Sequence, residues 1–192
     1  MARFTRITTG AGDDGTTSLP GAAKIPKDDV LVALLGDLDE LSAALGLARS
    51  TAGAGGLPGG AQAAGLLRRI RAVQGRVGEI AASVAQSPRG AGGADRPEVS
   101  AWLSAIEEEQ EGLRAGIRLP EHFVLPGETR LGAELHLART VCRRAERRCV
   151  AAARAHSDAG LEHIVPVLNR LSDYLFVLAA AAEPDPGTTR SV

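Results

Sequence analysis

Aromatic side chains are scarce in this sequence, at 3% of 192 residues, with one Trp, one Tyr and three Phe. That scarcity, with Ala, Leu and Gly dominant, leaves an aliphatic, helical core as the expected interior. Cysteine is scarcer still: Cys142 and Cys149 are the only two. On a helix their alpha carbons would lie about 10 Å apart, too far for a disulfide. Buried inert thiols are expected, and no Cys/His spacing of a zinc site occurs. A net charge of −1 lacks the basic excess of a nucleic-acid binder. No apolar run reaches the roughly 18–20 residues of a membrane span. The opening MARFTRITTGAGDD has no hydrophobic region of a secretory signal. A cytoplasmic protein with neither nucleic-acid nor membrane partners is therefore expected.

Alternating strand patterns are missing as well, and helical periods take their place. The first helix is expected from Asp28 or Asp29, either able to cap it, to about Arg49, with Leu31, Leu34, Leu38, Leu41, Leu45 and Ala48 inward. Asp37, Asp39 and Glu40 interrupt it, as a solvated face or with one carboxylate paired to an arginine elsewhere. STAGAGGLPGGA at 50–61 reads as a linker. A second helix over 62–86 turns Leu66, Ile70, Val73, Val77, Ile80 and Val84 inward, with Arg68, Arg69, Arg71 and Arg76 most simply solvated. After the loop SPRGAGGADRP, a third helix runs from Pro97 to about Ile117 on Val99, Leu103, Ile106, Gln110, Leu113 and Ile117. Its Glu107, Glu108, Glu109 and Glu111 are expected to face solvent.

The stretch Phe123–Val150 is the most distinctive. An apolar loop closed by Pro126 and Gly127 leads into an arginine-rich helix. Leu131, Leu135, Ala138, Cys142, Ala145 and Cys149 form its inward stripe. His136, Arg139, Arg143, Glu146 and Arg147 share a neighbouring face. That face is either a wall for a polyanion or a solvated basic surface. The chain then turns near 156–160 into a last helix, 161–182, with Ile164, Leu168, Leu171, Leu175, Leu178 and Ala182 inward and Pro166 in its first turn. Asn169 and Asp173, on one face with Phe176, need polar partners.

Residues 3–28 read as irregular structure. Thr and Gly gather around Asp13 and Asp14, with Lys24 and Lys27 following, the components of an anion-binding nest. The Gly-Lys-Ser/Thr of a Walker A loop is absent. So are the Glu-x-x-His pairs of a di-iron bundle. The expected fold is all-α, an antiparallel five-helix bundle of ferritin-like architecture with an irregular glycine-rich N-terminal loop. One domain is expected over 1–192: the loop at 1–28, the bundle at 29–182 and a disordered tail at 183–192.

GDDGTTSL at 12–19, IPKDD at 25–29, GDLDELSAALGLAR at 36–49, FVLPG at 123–127, LHLARTVCRRAERRCV at 135–150 and LNRLSDYLFVLA at 168–179 span nearly the whole chain. In this order they resemble the PduO-type ATP:cob(I)alamin adenosyltransferases. The resemblance implies a cobalamin adenosyltransferase-like bundle assembled as a homotrimer, with active sites between subunits. It implies transfer of the 5′-deoxyadenosyl group of ATP to Co(I) of cobalamin, releasing tripolyphosphate, with Mg²⁺ accompanying ATP and no metal held by side chains alone. A cobalamin reductase and an adenosylcobalamin-dependent acceptor enzyme are the partners it implies.

Carried over by position, Thr9, Gly10, Ala11 and Gly12 with Thr17 and Ser18 would wrap the nucleotide, and Lys27 would meet its phosphates. Arg143, Glu146, Arg147 and Asn169 would complete the ATP site. Arg139 would pair with Asp39 of a neighbouring subunit, and Phe123 would press on the lower corrin face and exclude an axial ligand. Arg139, Arg143, Phe123 and Asp39 are thus the implied catalytic set. The chain departs from the family pattern at Ala11, Ala33, Leu35, Glu128 and Val167. Those departures keep a second reading open, a non-catalytic relative that binds or delivers corrinoid or uses ATP as a regulatory ligand. A purely structural bundle is the third.

Overall fold

The structure is a computed structural model describing residues 10–20, 24–54, 60–87, 97–119 and 125–183. Five helices carry it: α1 (Val30–Gly53), α2 (Gly60–Gln86), α3 (Pro97–Arg114), α4 (Arg130–Ala155) and α5 (Ile164–Ala182). The expected stripes of α1, α2, α4 and α5 are all buried and meet in one aliphatic core. Helix starts follow local chemistry. Asp29, in extended conformation, accepts the Leu31 N–H at 2.8 Å to cap α1. Thr129 accepts the Gly132 N–H at 2.9 Å to cap α4.

Helix α4 is central, packed between α1 and α5. Both neighbours run antiparallel to it. His156, just past the end of α4, places Nε2 2.9 Å from Oδ1 of Asp29 at the start of α1. Cys142 donates to the Leu168 carbonyl at 3.3 Å, and Cys149 to the Leu161 carbonyl at 3.4 Å. Both thiols are fully buried. Burial is the main cause that pushes them up, Cys149 to about 12 and Cys142 further, so neither ionises near neutrality. Helix α2 packs on α1, and α3 on α5.

The N-terminal segment, expected as wholly irregular, holds a small antiparallel hairpin. Strand β1 (Thr16–Ser18) pairs with β2 (Lys24–Pro26), Thr17 opposite Ile25. Strands of three residues contain too few alternations to show a period. Asp14 locks the hairpin by accepting the Thr16 N–H at 3.0 Å, the Thr16 hydroxyl at 2.6 Å and the Lys24 ammonium at 3.0 Å. These contacts, the Thr16 hydroxyl first, hold its carboxyl below the usual range.

Several element ends differ from expectation. Helix α1 continues to Gly53, into the stretch expected as linker, and α2 begins at Gly60. Helix α3 stops at Arg114, where Gly112 and Gly116 weaken its last turns. Helix α5 begins at Ile164 rather than 161, because two single 3-10 turns, Ser157–Ala159 and Leu161–His163, precede it. Glu183, expected in a disordered tail, is partly buried with its carboxylate against Gly132 and Thr129, where any side chain on Gly132 would collide with it. Burial raises its pKa, against the hydrogen bonds from Thr129. Residues 184–192 lie outside the described residues.

Two charged faces also turn out differently. Arg69 and Arg76, expected in solvent with Arg68 and Arg71, turn inward. Arg69 donates to the Tyr174 hydroxyl at 3.2 Å and the Glu109 carbonyl at 3.0 Å. Glu109, expected to face solvent, accepts the Tyr174 hydroxyl at 3.0 Å and lies 3.9 Å from Arg76. Trp102 is buried in α3, where Leu103 was expected, and donates to Glu79 at 2.9 Å. Buried Tyr and Trp require partners for their O–H and N–H, and long arginine stems reach in to supply them. Burial pushes the Tyr174 hydroxyl up to about 12. Arg68, Arg71, Glu107, Glu108 and Glu111 are exposed as expected. The segment Leu161–Ala182 is long and apolar enough to cross a membrane by composition, yet 67% of that window is buried in the bundle.

Candidate functional site

The arginines of α4 divide between two sides. Toward α1, Arg144 donates Nε to Asp37 Oδ1 at 3.0 Å and also bonds Glu40. Arg148 donates Nε to Asp37 Oδ2 at 3.4 Å. Asp37 is buried at 7% exposure, so it is the α1 carboxylate that pairs with the arginine helix within the chain. Asp39, the position the resemblance implies, is exposed and forms no ion pair among the described residues. Arg144 and Arg148 share a face by their i, i+4 spacing, but Arg139 and Arg143 have the same spacing, so the sequence did not single this pair out.

Toward α5, α4 presents His136, Arg139, Arg143, Glu146 and Arg147. Helix α5 answers with Phe176 and Asn169, while Asp173 is exposed. The His136 ring meets Phe176 edge-on at 5.9 Å, and the Arg139 guanidinium lies 6.0 Å from the Phe176 centroid. His136 is buried, and its Nδ1 has no partner among the described residues; nor has Arg139 Nε. Burial first, then the Arg139 charge, lowers the His136 pKa. Burial, then Arg143, lowers that of Arg139.

About two helical turns further along, Asn169 donates Nδ2 to Glu146 Oε1 at 3.1 Å. Asn169 Oδ1 accepts from Arg170 Nη1 at 3.1 Å, and Arg170 Nε donates to Glu107 of α3 at 3.0 Å. Arg147 donates to the Arg143 carbonyl at 2.9 Å. Arg143 and Arg147 are exposed, and neither reaches a carboxylate among the described residues. Two uncompensated guanidiniums beside a fixed amide–carboxylate pair suit a polyanion, because the planar fork binds phosphate in two-pronged fashion. Arg170 was not singled out in the sequence, and Glu107 was expected only as a solvent-facing acid. Only their place beside Asn169 reveals them.

The N-terminal candidates gather in the hairpin. Gly10, Gly12 and Gly15 all have positive φ, and the turn closes on itself, with the Asp13 N–H on the Gly10 carbonyl at 3.3 Å and the Gly15 N–H on the Gly12 carbonyl at 3.2 Å. Gly12, at φ +102°, admits no Cβ: one would lie 2.7 Å from the Thr16 carbonyl and 3.3 Å from Lys27 Nζ. The Lys27 ammonium thus overlies Gly12, beside Ala11, with Thr17 and Ser18 on β1. Two residues later Asp29 contacts His156, so the hairpin sits where α4 ends. Among the described residues, no hydrogen bond or ion pair joins Lys27, Thr17 or Ser18 to Arg143, Glu146, Arg147 or Asn169 within the chain. Thr9 and Phe123 lie outside the described residues. Leu125 to Glu128, exposed, precede the opposite end of α4, about 20 Å from Arg143 at the helical rise.

The departures from the family pattern fall in different surroundings. Val167 is fully buried and Leu35 packs against the core, so both bear on packing, whereas Glu128 is exposed. Among the described residues no three His, Cys, Asp or Glu groups converge as a metal site.

Residues 7–182 match the family described as Cobalamin adenosyltransferase. The corrinoid adenosyltransferase of Mycobacterium tuberculosis is 36% identical over 186 residues, covering 95% of this chain and 91% of that protein. That of Citrobacter freundii is 32% identical over 183 residues, covering 94% and 97%. A variant PduO-type ATP:corrinoid adenosyltransferase from Lactobacillus reuteri, solved with cobalamin and ATP, superposes with a TM-score of 0.71 at 28% identity, covering 92% of this chain and 93% of that one. With matching motifs in order, the same bundle and relatives of this extent, the chain belongs to the cobalamin adenosyltransferase family.

Proposed function

We propose that the chain is an ATP:corrinoid adenosyltransferase that moves the 5′-deoxyadenosyl group of ATP to Co(I) of a corrinoid and releases tripolyphosphate. The observation that carries this is the α4–α5 face, where Arg143 and Arg147 reach no carboxylate among the described residues while Arg144 and Arg148 are paired. In the transfer a Co–C bond forms as the bond from C5′ to the phosphate oxygen breaks, and negative charge develops on the leaving group. Cationic groups fixed near that charge before reaction lower the barrier. Arg143 and Arg147 take this role, with Asn169 and Glu146 orienting the nucleotide and Lys27 and the Gly10–Gly12 turn closing over the phosphates.

Magnesium would accompany ATP, and no three His, Cys, Asp or Glu groups converge among the described residues to hold it otherwise. When bound, it supplies further neutralisation of the leaving group. On the corrin side, Phe123, outside the described residues, would exclude a ligand from cobalt and so ease reduction of Co(II). Trimeric assembly with sites between subunits is supported by Asp39 and Arg139, neither of which has an ion pair among the described residues, and by the absence there of any hydrogen bond or ion pair from Lys27, Thr17 or Ser18 to the arginine face. A cytoplasmic setting, a cobalamin reductase and an acceptor for the product complete the reading.

The test is incubation of the purified protein with chemically reduced cobalamin, ATP and Mg²⁺ while recording absorption spectra. Adenosylcobalamin should form well above the protein-free rate. Tight corrinoid binding with no product would instead leave a carrier.

A further inference from the structure

We propose that Arg170 is a positioning residue of the nucleotide site: it fixes the Asn169 amide so that Glu146 is held away from Arg143 and Arg147, leaving both guanidiniums free for a triphosphate. The inference rests on the adenosyltransferase reading and assigns Arg170 a role that it exerts through Asn169.

Glu146 follows Arg143 by three residues, a spacing that brings side chains together on a helix. A carboxylate there would ordinarily pair with that arginine. In the structure it does not: Glu146 Oε1 receives the Asn169 Nδ2 donor at 3.1 Å. An asparagine amide has a donor end and an acceptor end and can turn over, so its orientation follows its partners. Arg170 sets it, donating Nη1 to Asn169 Oδ1 at 3.1 Å, which leaves Nδ2 facing Glu146. The guanidinium is itself braced, since its Nε donates to Glu107 Oε1 at 3.0 Å. A relay therefore runs from α3 through Glu107, Arg170 and Asn169 to Glu146 on α4. Remove Arg170 and Oδ1 loses its donor, the amide is free to turn, and Glu146 is released toward Arg143. The nucleotide then has to displace a carboxylate before it can bind. Arg170 and Glu107 are about half exposed, at 46% and 51%, and such a bridge adds little to stability. Its effect is expected on binding instead.

The experiment measures adenosylcobalamin formation against ATP concentration for the native protein, Arg170→Ala, Glu107→Gln and Glu108→Gln, with isothermal calorimetry of ATP in parallel. Arg170→Ala should raise KM for ATP about five- to twentyfold, less than the loss of a direct charge-assisted phosphate contact because Arg170 acts through Asn169, with KM for cobalamin unchanged. Glu107→Gln should raise it by a smaller factor, and Glu108→Gln, an exposed neighbour, by none. The same step taken in a Glu146→Gln background should have no further effect, because the competing charge is gone. An unchanged KM, or the same factor in both backgrounds, overturns the relay; the second result would assign Arg170 to packing alone. If Arg170→Ala does not fold, Glu107→Gln in the two backgrounds carries the same comparison. If the native protein binds ATP but makes no adenosylcobalamin, the enzymatic reading fails, and calorimetry still decides the relay.

Discussion

The two sides of α4 carry the same residue type to opposite ends. Facing α1, Arg144 and Arg148 are satisfied within the chain by Asp37 and Glu40. Facing α5, Arg139, Arg143 and Arg147 meet no carboxylate among the described residues, and the one acid among them, Glu146, is bound to an amide. An arginine row is therefore not one functional unit. On one side it fastens two helices, and on the other it is kept unneutralised, which a phosphate site requires and a merely solvated surface does not. The difference lies in what the partner helix offers: carboxylates from α1, but Phe176 and Asn169 from α5.

Substitutions on each side break that comparison in distinct ways. The largest effect is expected from Arg143→Ala, which removes a charge-assisted phosphate contact. It should lower kcat/KM for ATP by about 1.5–3 kcal/mol, roughly ten- to a hundredfold, with little change in thermal midpoint. Kinetics indistinguishable from the native protein would make this side ordinary surface. Asp37→Ala should do the reverse, lowering unfolding free energy by about 1–2 kcal/mol in urea titrations through loss of a buried acceptor. A many-fold rise in KM for ATP without loss of stability would show that the two sides are not separable.

A smaller effect concerns pH. Burial and Arg139 hold the His136 pKa below its usual 6.5, so the unfolded chain takes up this proton first as pH falls. Its contribution is fully present above 6.5 and is lost as pH falls toward the lowered folded value. The thermal midpoint of the native protein should drop more steeply between pH 7 and pH 5 than that of His136→Gln. Parallel curves would remove His136 as the source.

Much of this was legible in one dimension. The stripes of α1, α2, α4 and α5 could be read because an apolar residue every third or fourth position has one low-energy use, burial of a continuous face. The Asp29 cap was legible because its chemistry is local. The hairpin was not, since its strands are three residues long and held by Asp14 rather than by pattern. Arg69, Arg76 and Glu109 read as solvated charges because the sequence does not show that Tyr174 needs them. Of the candidate site, the helical face shared by Arg139, Arg143, Glu146 and Arg147 was visible by spacing, and the motifs pointed to the family. The Arg170–Glu107 brace was invisible, because its partners lie 63 residues apart.

The sequence by itself determined five amphipathic helices, the burial of both cysteines and the motifs that mark the family. Tertiary structure decided which arginine meets which acid: Asp37 rather than Asp39 within the chain, and Asn169 rather than Arg143 for Glu146. Helical spacing assigns each residue to a face of its own helix. Only the packing of that helix against its neighbours settles what the face will see.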